Sequence, residues 1–438
     1  MQAINVIGGG LAGCEAAYRI AQEGIKVKLW EMRPGQNTPV HRTANLAELV
    51  CSNSLKSELE QTSQGLLKRE MRILDSLLLS CAEETRVPAG SALAVDRELF
   101  SNLVSERISG HPRIEVIREE VGEIPAEGIW VVATGPLTSE ALSVSLAKFT
   151  GEDSLFFYDA VAPSVTIDSL DMNKIYRASR YGKGSDDYLN CPLNQEEYER
   201  FYDSLIKADI KEAHNIDRKH YFDSCMPVEE IASRGKDTLR YGPMRPVGLD
   251  DPRQGGRPYA VVQLRQEDLA GTIYGLVGFQ TRLRWGEQKQ IFQLIPGLEN
   301  AEFVRYGVMH RNTYVNSPRL LGAGLQLRQE PRVFLAGQIT GVEGYMESAA
   351  TGIIAGINAA RTARNSQVLV PDQATMLGAL LHFITTSSSE HFQPINANFG
   401  LLPPLAKRIK DKQKRYLEYS NRALNEMQEF SELLQEHL

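Results

Sequence analysis

The chain opens with a short apolar run, an alanine-rich amphipathic segment and a second apolar run. These patterns, at residues 4–7, 15–23 and 27–30, predict two parallel strands joined by a helix. Repetition of such units is typical of an α/β domain with a parallel sheet. The pattern continues with predicted helices at 66–80 and 97–108 and predicted strands at 91–95, 114–116 and 129–132.

Three glycines separate the first predicted strand from the helix, in the order G-x-G-x-x-G. Gly8 allows a tight turn, Gly10 lets the backbone approach a pyrophosphate, and Gly13 lets helix and strand pack closely. The phosphates then lie at a helix N-terminus, which favours anions. Glu31 ends the second strand, where a carboxylate binds ribose hydroxyls and repels a 2′-phosphate, so the segment favours FAD or NAD over NADP. The predicted cofactor contacts here are Gly8, Gly9, Gly10, Leu11, Ala12, Gly13 and Glu31.

A nucleotide-binding pattern returns near the C-terminus. A buried strand is predicted over 332–338 and a small-residue helix over 341–356. In two-part FAD sites such a strand and helix close over the flavin, and the positive helix N-terminus stabilises the anionic reduced flavin. Gln338 departs from this pattern, because an acidic residue usually follows the glycine of the strand. The predicted FAD contacts of this segment are Gly337, Gln338, Gly341, Gly344 and Tyr345.

The composition changes at about residue 142, where aromatic and arginine-rich stretches replace long apolar runs. We therefore predict an α/β fold with a Rossmann-type FAD-binding domain of the glutathione-reductase kind, interrupted by an inserted α+β substrate domain. The predicted boundaries are 1–141 for the first part of the FAD-binding domain, 142–317 for the insertion, and 318–438 for the second part with C-terminal helices.

Basic residues are concentrated in the predicted insertion. From Arg234 to Lys289 there are ten basic residues against six acidic ones, interleaved with aromatic side chains. Phosphate neutralisation together with stacking faces is what an RNA surface needs, although arginines paired with the protein's own acids give the same composition. The final helix is predicted to begin with a basic stretch, which allows the same two interpretations. The residues predicted to contact tRNA are Arg282, Arg284, Lys407, Arg408 and Lys410.

Composition and charge narrow the class of protein. With 438 residues, 42% hydrophobic and 24% charged, the chain is expected to form about two to three soluble globular domains. Its net charge of −7 argues against a general nucleic-acid binder but allows a local basic face. No apolar run reaches the roughly 20 residues of a membrane span and no signal peptide is evident, so we expect a cytoplasmic protein. Five scattered cysteines without a C-x-x-C pair predict no disulfide framework and no metal site.

Several segments together resemble one family, the folate- and FAD-dependent tRNA (uracil-5-)-methyltransferases, known as TrmFO. They include the glycine loop, the stretches around Cys51 and Cys225, and a Met-His-Arg-Asn segment. The larger GidA-type tRNA-modifying flavoproteins share the first and last FAD elements, but they carry an additional helical C-terminal domain that a chain of 438 residues is not expected to hold. The segments that carry the resemblance are 8–17, 50–57, 222–229, 309–314, 336–345 and 392–405.

The resemblance implies a reaction on RNA. Members of this family convert uridine 54 in the T loop of tRNA to 5-methyluridine. The one-carbon donor is 5,10-methylenetetrahydrofolate, and FAD, reduced by NAD(P)H, is expected to act as reductant and as carrier of the methylene group. tRNA would be the partner, and no obligate protein partner is evident.

Two cysteines that function in this family match Cys225 and Cys51. Carbon C5 of uracil reacts only after a thiolate has added at C6, and cationic surroundings favour a thiolate. Cys225 lies in the arginine-rich insertion and is the predicted nucleophile, with Cys51 as flavin-side helper; the reverse assignment stays open, as does a role for either as a small buried hydrophobe. His310 is predicted to stack on the pterin of the folate, with a core histidine as the alternative.

Two other functions remain compatible with the sequence. One is a GidA-like flavoprotein component of another tRNA wobble-uridine modification, which the additional C-terminal domain would mark. The other is an FAD oxidoreductase that acts on a small molecule. This last function would leave the paired cysteines and the basic insertion unexplained, and a tRNA binding assay would separate it from the first two.

Overall fold

The computed structural model describes residues 2–38, 40–151, 155–182, 185–210, 226–253, 255–390 and 392–436, with backbone alone for 155–160 and 309–311. Within this part of the chain there are two main hydrophobic cores. The first takes its residues from Ile4 to Leu146 and from Tyr314 to Leu434, and the second from Val165 to Ala301. One domain is therefore interrupted by another.

The elements are numbered in chain order. The strands are β1 Ile4–Ile7, β2 Val27–Trp30, β3 Ser54–Ser57, β4 Arg86–Val87, β5 Ala92–Val95, β6 Ile114–Ile117, β7 Trp130–Val132, β8 Leu155–Ala160, β9 Ser164–Thr166, β10 Tyr176–Arg177, β11 Tyr188–Leu193, β12 Ala260–Gln266, β13 Ile273–Leu276, β14 Phe303–Arg305, β15 Met309–Tyr314 and β16 Val333–Leu335. The helices are α1 Leu11–Gln22, α2 Ser63–Ile73, α3 Leu77–Glu84, α4 Arg97–Ser109, α5 Glu140–Thr150, α6 Gln195–Lys207, α7 Val228–Ser233, α8 Thr238–Tyr241, α9 Trp285–Phe292, α10 Ser317–Leu320, α11 Tyr345–Ala363, α12 Met376–Thr386 and α13 Lys412–Glu436.

The first core contains a parallel sheet with the strand order β6-β2-β1-β7-β16. Val6, Leu29 and Val131 lie within its strands and are fully buried. Strands β7 and β16 are buried at every position, which explains why they appear in the sequence as continuous apolar runs. Strands β2 and β6 lie nearer the other edge, and each exposes one charged residue, Lys28 and Glu115. Helix α1 connects β1 to β2, so the predicted α/β class with a parallel sheet is confirmed.

One predicted helix is divided in the structure. The apolar spacing at 66–80 predicts a single helix, whereas the chain forms α2 and α3. The break follows from Asp75, whose φ of 55° is left-handed. Ser76 then caps α3, because its hydroxyl accepts a hydrogen bond from the backbone N–H of Leu79 at 3.2 Å. The apolar spacing continues through the turn at Asp75 because α2 and α3 pack on the same core.

The last helix starts later than the basic pattern predicts. The sequence places Lys407 inside it, but α13 begins at Lys412. Asp411 accepts a hydrogen bond from the backbone N–H of Lys414 at 2.8 Å, which is the interaction expected of a residue that caps a helix N-terminus. Lys407, Arg408 and Lys410 therefore lie before the helix, in a segment without regular secondary structure.

The insertion contains an antiparallel sheet with the order β10-β11-β12-β13-β9-β14. Helices α6 and α9 cover it, with Phe201 and Phe292 buried in the second core. The ends of the predicted insertion pack elsewhere, since Leu142 and Tyr314 belong to the first core. The second core thus occupies a shorter stretch than the predicted 142–317.

Helices α1 and α11 lie in direct contact and position the site. A Cβ atom added at Gly352 would lie 2.2 Å from the carbonyl oxygen of Ala12, and one added at Gly356 would lie 2.8 Å from that of Ala16. Only glycine permits this approach. Because α1 follows β1 and α11 follows β16, both N-termini lie at the carboxyl edge of the parallel sheet, where ligands of such sheets bind.

Candidate active site

A cavity opens at this edge, between the N-termini of α1 and α11. Its volume is about 390 Å³. The FAD-binding domain supplies most of its wall, including Glu31 and the loop with Cys51, while the inserted domain supplies Arg265 and Gln280. The cavity therefore lies where the two domains meet.

The glycine loop has the shape that a pyrophosphate requires. Gly8 has a φ of 102°, and a Cβ atom there would lie 2.6 Å from the carbonyl oxygen of Ala133. A Cβ atom at Gly13 would lie 1.8 Å from the carbonyl oxygen of Gly8. At Gly10, by contrast, no protein atom lies within 4 Å of an added Cβ atom, and Gly10 lines the cavity. Two glycines thus close the loop, and the third leaves space over the N-terminus of α1 for a phosphate.

Glu31 lines the cavity and is buried. Its Oε2 accepts a hydrogen bond from the backbone N–H of Gly9 at 2.9 Å, and its Oε1 accepts one from Nε of Arg33 at 2.9 Å. Burial alone would raise the pKa of Glu31, but the hydrogen bonds and charge of Arg33, together with the Gly9 N–H, hold it below its usual range. An ionised carboxylate at this position can accept hydrogen bonds from ribose hydroxyls and repels a 2′-phosphate.

The second cofactor segment has an acidic residue that the sequence pattern missed. Gln338 donates a hydrogen bond from Nε2 to Oε2 of Glu343 at 2.6 Å, and both side chains line the cavity. The carboxylate expected directly after Gly337 is therefore supplied five residues later. Gly341 lies behind the wall, because a Cβ atom there would meet the ring of Phe392 at 2.5 Å.

Most of the predicted cofactor residues come together at this cavity. In the first segment Gly9 and Gly13 lie behind the wall. They help to form the loop without facing the cavity. The predicted residues that line it are Gly8, Gly10, Leu11, Ala12, Glu31, Gly337, Gln338, Gly344 and Tyr345.

Cys51 lies in the cavity wall next to the N-terminus of α11. The hydroxyl oxygen of Tyr345 accepts hydrogen bonds from the backbone N–H groups of Cys51 at 2.8 Å and Ser52 at 3.1 Å. Burial raises the pKa of Tyr345, and the charge of Cys51 acts in the same direction. The phenol of Tyr345 is therefore neutral near physiological pH. Cys51 is half-buried, and it lines the same cavity as the glycine loop.

The other described cysteines are unsuited to nucleophilic chemistry. Cys14, Cys81 and Cys191 are fully buried. Burial raises the pKa of all three thiols, that of Cys81 to about 11. None of the four cysteines in the described ranges is in a disulfide.

Cys225 lies outside the described residues. The residues that follow it are well placed for a role near the cavity. Met226 is buried, and the backbone N–H of Val228 donates to the carbonyl oxygen of Gln280 at 2.7 Å. Gln280 itself lines the cavity.

The predicted folate residue can be placed only by its backbone. His310 lies on β15 opposite Asp159 of β8, and its side chain is outside the described part of the structure. Among the described residues no group of three or more His, Cys, Asp or Glu side chains could hold a metal ion. Within the same ranges, no helix combines the length and apolar character needed to cross a membrane.

The predicted tRNA contacts differ in their surroundings. Arg282 is mostly buried and forms ion pairs with Glu229 at 3.6 Å and with Glu230 at 3.2 Å. Arg284 is 61% exposed, 3.9 Å from an exposed Asp209. The guanidinium of Arg282 is thus paired with acidic residues of the protein itself, whereas Arg284 keeps its charge at the surface. The other three predicted contacts, near the C-terminus, are exposed as well: Lys407, Arg408 and Lys410.

Comparison with known proteins identifies the class to which this fold and site belong. Residues 3–367 match the model of the family described as Glucose inhibited division protein A. A solved structure of Aquifex aeolicus GidA superimposes with a TM-score of 0.71 at 17% identity, and the match covers 99% of this chain and 73% of that chain. The fold is therefore that of the GidA flavoproteins.

Curated relatives give a narrower assignment. A protein of Syntrophomonas wolfei named methylenetetrahydrofolate--tRNA-(uracil-5-)-methyltransferase TrmFO is 70% identical, with 99% of this chain and 100% of the relative covered. A relative with the same name from Desulforamulus reducens is 58% identical, with 98% and 97% covered. The chain belongs to the TrmFO family, within the wider GidA group, and the resemblance found in the sequence is confirmed.

Proposed function

We infer that this protein transfers a one-carbon unit from 5,10-methylenetetrahydrofolate to C5 of uridine 54 in the tRNA T loop. The observation that carries the inference is the shared cavity, which brings a dinucleotide loop and the Cys51 thiol together in a chain that is 70% identical to a named TrmFO over its full length. In the overall reaction the uracil C5–H becomes C5–CH₃, methylenetetrahydrofolate becomes tetrahydrofolate, and NAD(P)H becomes NAD(P)⁺. The hydride from NAD(P)H and one proton taken up from solvent balance the change from methylene to methyl and the return of the folate nitrogens to N–H.

Three independent features of the cavity fit FAD. Gly10 leaves open space over the N-terminus of α1 for the pyrophosphate, Glu31 offers an ionised carboxylate for a ribose, and the N-terminus of α11 lies across the same cavity. We assign the Gln338–Glu343 pair, which lines the same cavity, to the ribityl hydroxyls. Bound FAD, reduced by NAD(P)H, supplies the reducing equivalents.

Uracil C5 becomes nucleophilic only when a thiolate adds to C6, and the proton at C5 must leave before the thiol is released. We assign the nucleophile to Cys225. Three other thiols are excluded by burial and raised pKa, and Cys51 is held by backbone hydrogen bonds in the wall of the cofactor cavity. Cys51 then acts beside the cofactor, and His310 is assigned to the pterin of the folate.

The activity is tested with purified protein, unmodified tRNA, methylene-labelled methylenetetrahydrofolate and NAD(P)H. Nucleoside mass spectrometry should find labelled 5-methyluridine, and the label should disappear when uridine 54 is replaced by cytidine. A GidA-like function predicts label at a wobble uridine instead. NAD(P)H oxidation that does not depend on tRNA, with no labelled nucleoside, would favour a small-molecule oxidoreductase.

The cysteine assignment is tested with a tRNA that carries 5-fluorouridine at position 54. Fluorine cannot leave as a proton does, so the C6 adduct should accumulate as a covalent protein–RNA complex. Peptide mapping should locate it on Cys225, and Cys225→Ala should abolish it while Cys191→Ala, the matched buried control, should not. An adduct on Cys51, or trapping undiminished in Cys225→Ala, would reverse the assignment.

A further inference from the structure

The loop that carries Cys51 is held by an arginine from the other domain. Arg265 lies on β12 of the insertion and reaches the cavity wall. Its Nε donates to Oδ1 of Asn53 at 2.8 Å, and its Nη2 donates to Oγ of Ser52 at 2.6 Å. One planar guanidinium thus fixes the two residues that directly follow Cys51.

Asn53 has no freedom to move away from this contact. Its side chain is fully buried, and its Nδ2 donates to the carbonyl oxygens of Val95 at 3.0 Å and Gln266 at 2.9 Å. Both polar atoms of the amide are therefore hydrogen-bonded, and two of the three hydrogen bonds are made with the insertion, through Arg265 and Gln266. Rotation of Asn53 would leave buried polar groups unpaired, which is unfavourable.

A second arginine holds the other side of Cys51. Arg97, at the start of α4, donates from Nη1 to the carbonyl oxygen of Leu49 at 3.0 Å and from Nη2 to Oε1 of Glu267 at 2.8 Å. Glu267 follows β12 and also accepts from the hydroxyl of Ser164 at 2.8 Å. The chain on both sides of Cys51 is therefore connected to the same end of β12, through the side chains of Ser52 and Asn53 on one side and through Arg97 and the carbonyl of Leu49 on the other.

We propose that Arg265 is a positioning residue, which fixes the position of the Cys51 thiol relative to the inserted domain. The proposal rests on the proposed function, because that function assigns Cys51 a role beside the cofactor. Arg265 contacts neutral acceptors rather than a carboxylate, so its two hydrogen bonds define a direction and a distance at the Cys51 loop. Because β12 belongs to the domain proposed to hold RNA, the position of that domain against the FAD-binding domain also determines the position of the Cys51 thiol.

The test compares Arg265→Lys with Arg180→Lys. Lysine keeps the charge but cannot hold two acceptors in one plane. Arg180 is a matched control, because it bonds to the same strand through Oε1 of Gln263 at 3.0 Å and holds the carbonyl oxygens of Arg245 and Val247, away from Cys51. Ser52→Ala, which removes one of the two acceptors of Arg265 and also the bond from the backbone N–H of Ser54 at 3.1 Å, serves as a second, milder variant.

Two measurements are made on each variant. The first is the rate at which iodoacetamide alkylates Cys51, followed by peptide mass spectrometry in the absence of RNA and folate. The second is kcat and KM for tRNA, with the FAD content and melting temperature recorded. Arg265→Lys should change the alkylation rate and lower kcat by about tenfold or more at nearly unchanged KM, because small misplacements of reacting groups are costly. Ser52→Ala should shift both values in the same direction by less, and Arg180→Lys should leave both near wild type.

An alkylation rate in Arg265→Lys and Ser52→Ala equal to that of Arg180→Lys would overturn the proposal. So would a loss of activity that only follows lost FAD or a lower melting temperature. Failure of the proposed function would look different, since wild-type protein would then make no 5-methyluridine. The alkylation rates would still decide whether Arg265 positions the thiol.

Discussion

Gly10 offers the sharpest test of the cofactor site, because a Cβ atom added there would meet no protein atom. A Cβ atom at Gly10 has open space for 4 Å, and the φ of −77° suits any L-residue. Gly10→Val should therefore change the free energy of unfolding of the cofactor-free protein by no more than about 1 kcal/mol, the scale of glycine backbone effects. The added methyl groups occupy the space over the N-terminus of α1, where we place the FAD pyrophosphate.

The expected loss of FAD affinity follows from the bonds that the valine blocks. Each charge-assisted hydrogen bond from a backbone N–H is worth about 1.5–3 kcal/mol. Displacing the pyrophosphate from two such groups weakens binding by about 3–6 kcal/mol, or about 10²- to 10⁴-fold. Titration of the cofactor-free protein with FAD, followed by flavin fluorescence, measures the affinity, and a thermal melt measures the stability.

Two control variants separate binding from folding. Gly286→Val is also free of contacts within 4 Å but lies on the surface at the start of α9, so its FAD affinity should remain at the wild-type value. Gly13→Ala should instead destabilise the cofactor-free protein, since its Cβ atom would lie 1.8 Å from the carbonyl oxygen of Gly8. An affinity of Gly10→Val within about tenfold of wild type would refute the placement of the pyrophosphate.

Three further measurements test other parts of the molecule. Replacing Lys407, Arg408 and Lys410 by alanine should weaken tRNA binding and reduce the slope of log affinity against log salt by about 2–3, because fewer counterions are released; an unchanged slope would remove this segment from the RNA surface. His310→Ala should lower folate-dependent turnover and leave flavin reduction by NAD(P)H largely intact, whereas equal loss of both would indicate a folding defect. Burial raises the pKa of Glu70 from 4.5 to about 8, so its contribution to stability is full below the unfolded pKa and is lost as the pH rises to about 8. Urea melts of Glu70→Gln should therefore show a smaller fall in the free energy of unfolding over this range than wild type, and an equal fall would contradict the shift.

Local patterns account for the cofactor half of the fold. The strand–helix–strand unit at the N-terminus depends on neighbours in sequence, and the spacing of Gly8, Gly10 and Gly13 follows from one turn and the helix that it starts. The structure gives each glycine a separate steric reason, namely two close backbone approaches and one open space. Such constraints act over a few residues, so they leave a signal that a single sequence can show.

Contacts between distant residues leave no such signal. Arg265 and Asn53 are 212 positions apart and form one hydrogen bond. The excess of basic residues in the insertion is visible in the sequence, but composition does not tell which of them are paired. Arg282 shows the difficulty, because its charge is compensated by Glu229 and Glu230, which lie 53 and 52 positions away.

The replacement for the missing acid after Gly337 could have been suspected from the sequence. Glu343 stands just before α11, and an acidic residue near a helix N-terminus is favoured electrostatically. What the sequence cannot supply is the turn that brings its carboxylate to Gln338. That turn depends on Gly341, which packs against Phe392 from a segment about 50 residues further along the chain.

The position of the insertion explains why the site lies between two domains. The chain leaves the parallel sheet at the end of β7 and returns to it as β16, and these strands are neighbours. Parallel strands end at one edge, so the insertion departs from the edge at which the cavity opens. The inserted domain then supplies Arg265 and Gln280 to the wall, and the FAD-binding domain supplies Cys51. Because residues of both domains line the cavity, we propose that their packing, including the Arg97–Glu267 ion pair at 2.8 Å, contributes to the catalytic arrangement.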